Sequence, residues 1–322
     1  MVTVLNQGDF WCTSRFDPWP ILFTIYTAPL SDIITKFNYD FHLYADDTQM
    51  MLPIEGESSN HVKLEECLGE IKNWMAKNKL QLNESKTEVL VFSKQLKNPY
   101  QSDLNFAGES IHVPTNDSVR NLGFYFDSRL SMEQHVKKVC QACHYHLKNI
   151  GKIRNLIDTE TTHMLIHSFI TSRLDYCNSL LVGIPAYLLD RLQKLQNKAA
   201  KIVLKKKQSE SSINVLRDLH WLPIKTRIDF KIASHVFKAL NGLAPSYLED
   251  LVHIYQPLRT LRSSSGCLLE TKRVNSKLEE RAFSFYAPKV WNALSLITKQ
   301  CENYDSFKKH LKTEYFKKCY QA

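Results

Sequence analysis

Asp46 and Asp47 stand side by side in the stretch FHLYADDTQMML (41–52) and form the pair with the clearest chemical potential in the chain. Adjacent acids repel unless water or a cation screens them. Converging carboxylate oxygens suit Mg²⁺, which takes oxygen ligands and keeps several waters. The competing reading is an Asp-Asp turn with no further role, because Asp is favoured in turns for its own backbone hydrogen bonds. A second charged set, Lys194, Lys198, Lys201 and Lys205, recurs at helical spacing. Such a ladder could track a phosphate backbone, each neutralised phosphate releasing counterions, or it could be a solvated outer face. A third set is CQACHYH, with Cys140, Cys143, His144 and His146. Its CxxC is metal-like, but ligands bunched on consecutive turns do not easily close a tetrahedron, and no second CxxC follows, so zinc is disfavoured. The nine glycines include no phosphate-cradling loop, and no Ser, His and Asp set stands out.

The elements that must position these groups can be read from periodicity. Phe41, Leu43 and Ala45 alternate, and β-prone residues resume from Thr48 to Leu52, which predicts strand, tight turn, strand with the carboxylates at the tip. A helix is expected over 58–79, with Leu64, Leu68, Ile71 and Met75 on one stripe, followed by a strand from Thr87 to Phe92. Short strands follow in SIHV and NLGFYFD, separated by turn-forming residues. After Ser131, a helix cap, the pattern becomes helical: Val136, Val139, Cys140, Cys143 and Leu147 share a face, and Thr159 starts a second run through Leu181. From Pro185, Leu188, Leu192, Leu195, Ala199 and Ile202 form an apolar stripe, with the four lysines on a face rotated by roughly 200°. Pro223 restarts a long helix, Gly242 stops it, and helix resumes from Glu279, so residues 130–322 read as nearly all α.

Charge divides the chain in the same way. Residues 1–129 hold 11 Lys/Arg against 17 Asp/Glu, and residues 130–322 hold 31 against 16, so the halves carry −6 and +15 within a net +9. The basic half suggests a polyanionic partner, most simply nucleic acid. With 322 residues and 43% hydrophobic content the chain can bury one large or two ordinary cores. Its eight cysteines are too sparse for a disulfide scaffold and fit a reducing compartment. The apolar run from Ile21 to Ile34 is broken by Pro29 and Asp32, short of the ~20 residues a membrane helix needs, and no secretory pattern is visible. The expectation is an intracellular chain, nuclear or cytoplasmic, without a membrane span.

YADD (44–47), then KNWMAKNKLQLNESKTEVLVF (72–92), then SVRNLGFYFD (118–127) resemble, in order and spacing, the last three palm motifs of reverse transcriptases of LINE-type, non-LTR retrotransposons. LHWLPIKTRIDFKI, FKALNGLAPSYL, RTLRSSS and RAFSFYAPKVWNAL resemble the thumb and C-terminal region of the same lineage, so the likeness spans residues 20 to about 318. It implies an α+β fold: a truncated polymerase palm of β-hairpins and packed helices at 20–128, an α-helical thumb at 129–207 and a mostly α-helical basic region at 208–322. By the same likeness Asp46 and Asp47 hold Mg²⁺, with Asp46 the stronger candidate. Lys86 lies near the leaving pyrophosphate, Leu122 and Gly123 sit in the primer-grip hairpin, and the partners are an RNA template and a DNA primer.

The sequence departs from the family before residue 20. The fingers and the strand carrying a third catalytic aspartate should precede that point, and Asp9, Asp17 and Asp40 match no such motif. The expectation is a polymerase that is inactive alone, with a non-catalytic nucleic-acid-binding remnant or a functionless pseudogene product as alternatives. Residues 1–19 are divergent, and WCTSRFDPWP occupies the place of the family's Gly-Val-Pro-Gln-Gly-Ser loop. One permitted coding of this stretch, read one base later, gives that loop. A Trp codon read one base later always yields Gly, so Trp11 requires the loop's first glycine and Trp19 the glycine that follows the loop in Gly-Val-Pro-Gln-Gly-Ser-Ile-Leu-Gly. Residues 11–19 therefore read as a frameshifted copy of that motif.

Overall fold

A computed structural model describes residues 19–53, 59–83, 86–92, 104–106, 109–111, 118–256 and 267–321. The frameshift expected at 11–19 falls, up to residue 18, outside the described residues. The chain divides into two compact units, Met1–Gln134 and His135–Ala322.

In the first unit the apolar run that begins at Ile21 forms two helices, α1 (Trp19–Thr27) and α2 (Pro29–Lys36). Pro29 at the first turn of α2 supplies a pre-set φ where its missing N–H costs nothing. Strands β1 (Asp40–Tyr44) and β2 (Asp47–Met51) pair antiparallel, from Asp40 opposite Met51 to Tyr44 opposite Asp47. Helix α3 (Ser59–Lys77) follows close to its expected span. Leu64, Leu68, Ile71 and Met75 of α3 are buried with Leu30, Ile33 and Ile34 of α2 and with Met50 of β2. This core holds the base of the β1–β2 hairpin, whereas Leu43 and Tyr44 near its tip are exposed.

The strand expected at 87–92 is extended chain with a single bridge residue at Val89. Its alternation is nevertheless real. Val89 and Val91 join the α2–α3 core, while Leu90, with Phe92 beside it, packs against Val119 and Phe126. Two short hairpins complete the unit: β3 (Leu104–Phe106) with β4 (Glu109–Ile111), and β5 (Ser118–Asn121) with β6 (Phe124–Asp127). The Asp127 carboxylate accepts backbone N–H bonds from Arg129, Ser131 and Met132, and Ser131 Oγ accepts one from Glu133 N at 3.2 Å, as a helix cap would.

The second unit is helical, as its periodicity predicts. Helix α4 (Glu133–Ile153) buries Val136, Cys140, Cys143 and Leu147. Asp158 caps α5 (Thr159–Ile166), accepting from Thr161 N at 2.6 Å, and the helix continues through a π turn (His167–Thr171) into α6 (Ser172–Asp175). Helix α7 (Ala186–Val203) buries Leu188, Leu192, Leu195 and Ala199. After α8 (Ser212–Asp218), Pro223 opens α9 (Ile224–Leu240). Gly242, at φ +64°, lets Leu243 N donate back to Lys238 O at 2.8 Å, the reversal that ends α9.

Helices α10 (Ser246–Glu249), α11 (Phe283–Asn292), α12 (Leu296–Lys299) and α13 (Tyr304–Tyr320) follow. Phe237 of α9 stacks on Phe307 of α13, which also stacks on Trp291 of α11. One departure from the all-α expectation is an antiparallel bridge between Ile254 and Leu269. The described residues are thus α+β: three two-stranded sheets and many helices. No described helix is long and apolar enough to cross a membrane.

Candidate metal hairpin and basic helix face

The β1–β2 hairpin turns through only Ala45 and Asp46. Ala45 takes the left-handed region, at φ +52°, where a side chain is strained by about 1 kcal/mol. Asp46 is the second turn residue, and Asp47 opens β2 opposite Tyr44. The two carboxylates are therefore neighbours on the tip, as the sequence predicts.

Their environments differ. Asp47 Oδ1 is buried and accepts no hydrogen bond. Burial, and then the charge of Asp46, push the Asp47 carboxyl above its ordinary range, while the ammonium of Lys86 pulls the other way. Lys86, 39 residues from Asp47 in sequence, is thus brought to the tip. The β5–β6 hairpin is tied to the same place, because Asn121 Nδ2 donates to Gln49 Oε1 at 2.8 Å. Its two-residue turn is Leu122–Gly123, with φ of +45° and +84°, and Leu122 is exposed. Sequence reasoning missed Gln49 and Asn121. Their signal was only a polar residue on each hairpin, which does not identify a partner.

A buried carboxylate oxygen without a donor, beside a second carboxylate, is the kind of ligand set a hard cation takes. Asp46 and Asp47 fit Mg²⁺ as part of a larger set. Among the described residues no cluster of three or more His, Cys, Asp or Glu could hold a metal ion.

The lysine ladder is partly dismantled by the fold. Lys194 and Lys198 are exposed on α7. Lys201 is buried, and its Nζ donates to Gln208 O at 2.7 Å. Lys205 lies beyond the end of α7 with φ +52°, where Lys206 N closes back onto Lys201 O. The four do not form one continuous face. In CQACHYH the thiols of Cys140 and Cys143 lie in the core, and burial pushes Cys143 up to about 12. His146 stacks on Phe169 at 4.7 Å, and His144 is exposed. These are helix-packing roles for three of the four residues.

With this geometry in view, residues 19–126 match the family model described as reverse transcriptase (RNA-dependent DNA polymerase). The match covers α1 through nearly all of β6 and includes the acidic tip, Lys86 and the Leu122–Gly123 turn. No curated protein and no solved structure matches the chain.

Proposed function

We propose that residues 20–128 are the palm part of a LINE-type, non-LTR reverse transcriptase, whose reaction class is nucleotidyl transfer to a DNA primer on an RNA template. The observation that carries this reading is convergence: Lys86 and Asn121, from two later motifs, come to one acidic hairpin, Lys86 to the charge of Asp47 and Asn121 to Gln49 of β2. In this reading Asp46 and Asp47 would hold Mg²⁺, which activates a primer 3′-hydroxyl and neutralises triphosphate charge. The protein's own part is to fix two carboxylates at a hairpin tip, to place the Lys86 ammonium near Asp47, and to offer Leu122 and Gly123 as a primer-grip turn. The helical regions 129–207 and 208–322 are the thumb and C-terminal region of that reading.

A two-metal clamp draws carboxylates from more than one element, and the hairpin supplies two adjacent ones from a single tip. The chain alone is therefore expected to be inactive as a polymerase. Primer extension on a poly(A) template with Mg²⁺ tests this, and extension abolished by Asp46→Ala would overturn the inactivity. Mn²⁺ should broaden NMR signals of residues 44–48, and Asp47→Asn should remove the effect. Broadening unchanged by that substitution would sink the metal-hairpin reading. A second reading, a nucleic-acid-binding protein without catalysis, is favoured by exposed Lys194 and Lys198 on the basic second unit.

A further inference from the structure

A cleft of about 580 Å³ in the second unit is walled by α4, α7 and the segment leading into α8. Its cations come from two helices: Lys137 from α4, and Arg191, Lys194, Lys198 and Lys201 from α7. Among the described residues no carboxylate lines it. Buried Cys140, whose sulfur is hydrogen-bonded by the Arg191 side chain, and buried Leu195 form the floor, and the polar amides of Gln141 and Asn197 add neutral donors. Among the described residues Lys137, Arg191, Lys194 and Lys198 form no ion pair, in contrast to Lys206, which pairs with Glu210 at 3.2 Å. Like charges set around one concavity repel each other until an anion enters.

His144 lies on the same cleft wall and shares it with these cations. Partial desolvation of the exposed ring, and then the charges of Lys198 and Arg191, hold its imidazole below the ordinary range. The extent of the charge is informative as well. Arg191 and Lys198 are seven residues apart on α7, and Lys137 and His144 are seven apart on α4, a run of about 10 Å along each helix. A single phosphate would engage one end of such a row. A repeating anion engages its whole length.

We propose that the α4–α7 cleft binds the phosphodiester backbone of a single nucleic-acid strand, with Lys137, Arg191, Lys194 and Lys198 as the phosphate contacts. The proposal deepens the nucleic-acid-binding reading and is independent of polymerase activity. It also replaces the one-face lysine ladder: Lys205 is outside the site, Lys201 is a wall, and Arg191 and Lys137 are added. No base-reading group is required, so binding is insensitive to sequence.

The test is fluorescence anisotropy of a labelled 20-nucleotide oligo(U) with the full chain across a salt series. Lys137→Gln/Arg191→Gln is compared with Lys205→Gln/Lys207→Gln, which removes the same charge outside the cleft. Circular dichroism checks that both fold. The cleft variant is expected to flatten the log–log salt slope by about 1.4, two contacts at ~0.7 each for a single strand, and to weaken binding at least tenfold at low salt. The control is expected to change affinity less than threefold. Equal losses in both variants, or no binding by the wild-type chain at low salt, would overturn the proposal.

Discussion

The acidic tip of the first unit and the basic cleft of the second each gather like charges, but by different means. At the tip, Asp46 and Asp47 are adjacent in sequence, and a two-residue turn presents them on a hairpin whose outer residues Leu43 and Tyr44 are exposed. In the cleft, Lys137 and Arg191 are 54 residues apart and meet because α4 and α7 each bury an apolar stripe. The tip is locally encoded and thinly supported, since an isolated hairpin is marginal in water. The cleft rests on long helices with packed cores. Proximity that comes from adjacency needs little tertiary structure, and proximity that comes from packing fails when the packing fails.

The largest expected effect tests the packing side. Phe307 is fully buried between Phe237 and Trp291, so Phe307→Ala should destabilise the second unit by about 3–5 kcal/mol in urea unfolding. A loss below 1 kcal/mol would remove the contrast with the tip. Asn121→Ala should cost the first unit about 1 kcal/mol by leaving Gln49 without its donor, with faster amide exchange in β2 and β5. No change in exchange would mean that the two hairpins are not coupled.

Ala45→Gly should stabilise the tip by about 0.5 kcal/mol net, because Gly takes φ +52° without strain and loses somewhat more chain entropy on folding. Destabilisation would contradict the observed turn. The smallest effect is the pH dependence of Asp47. Its folded pKa is raised, so the folded state binds the proton more tightly than the unfolded chain. The ionised carboxylate therefore costs stability as pH rises through the raised value, and this cost is absent below the unfolded value of about 4. Asp47→Asn should raise the melting temperature at pH 7 and not at pH 3, and Mg²⁺ should narrow the difference at pH 7. A gain that persists at pH 3 would place its cause outside this carboxyl.

Much of the architecture was legible in the sequence. The β1–β2 hairpin, α3, α4, α7, the Pro223 restart and the Gly242 stop follow from alternation, heptad-like spacing and residues with fixed backbone preferences. The 87–92 segment was legible as a two-faced extended run but not as to its ladder, because hydrogen-bond partners are set by what lies alongside. The end of α7 was missed. Lys205 adopts the left-handed turn usually marked by Gly, so the lysine run carries no visible stop signal.

By itself, then, the sequence determined that Asp46 and Asp47 stand together at a hairpin tip, because residues adjacent in the chain cannot separate. It also determined that the second half is helical and basic, because composition and 3.6-residue spacing are local properties. Only the tertiary structure decided that Lys86 lies near Asp47, that Lys201 turns inward to Gln208, and that Lys137 joins Arg191 across a cleft. The physical reason is that periodicity states which face of a helix is polar. What that face meets depends on the packing of its opposite, apolar side against distant segments of the chain.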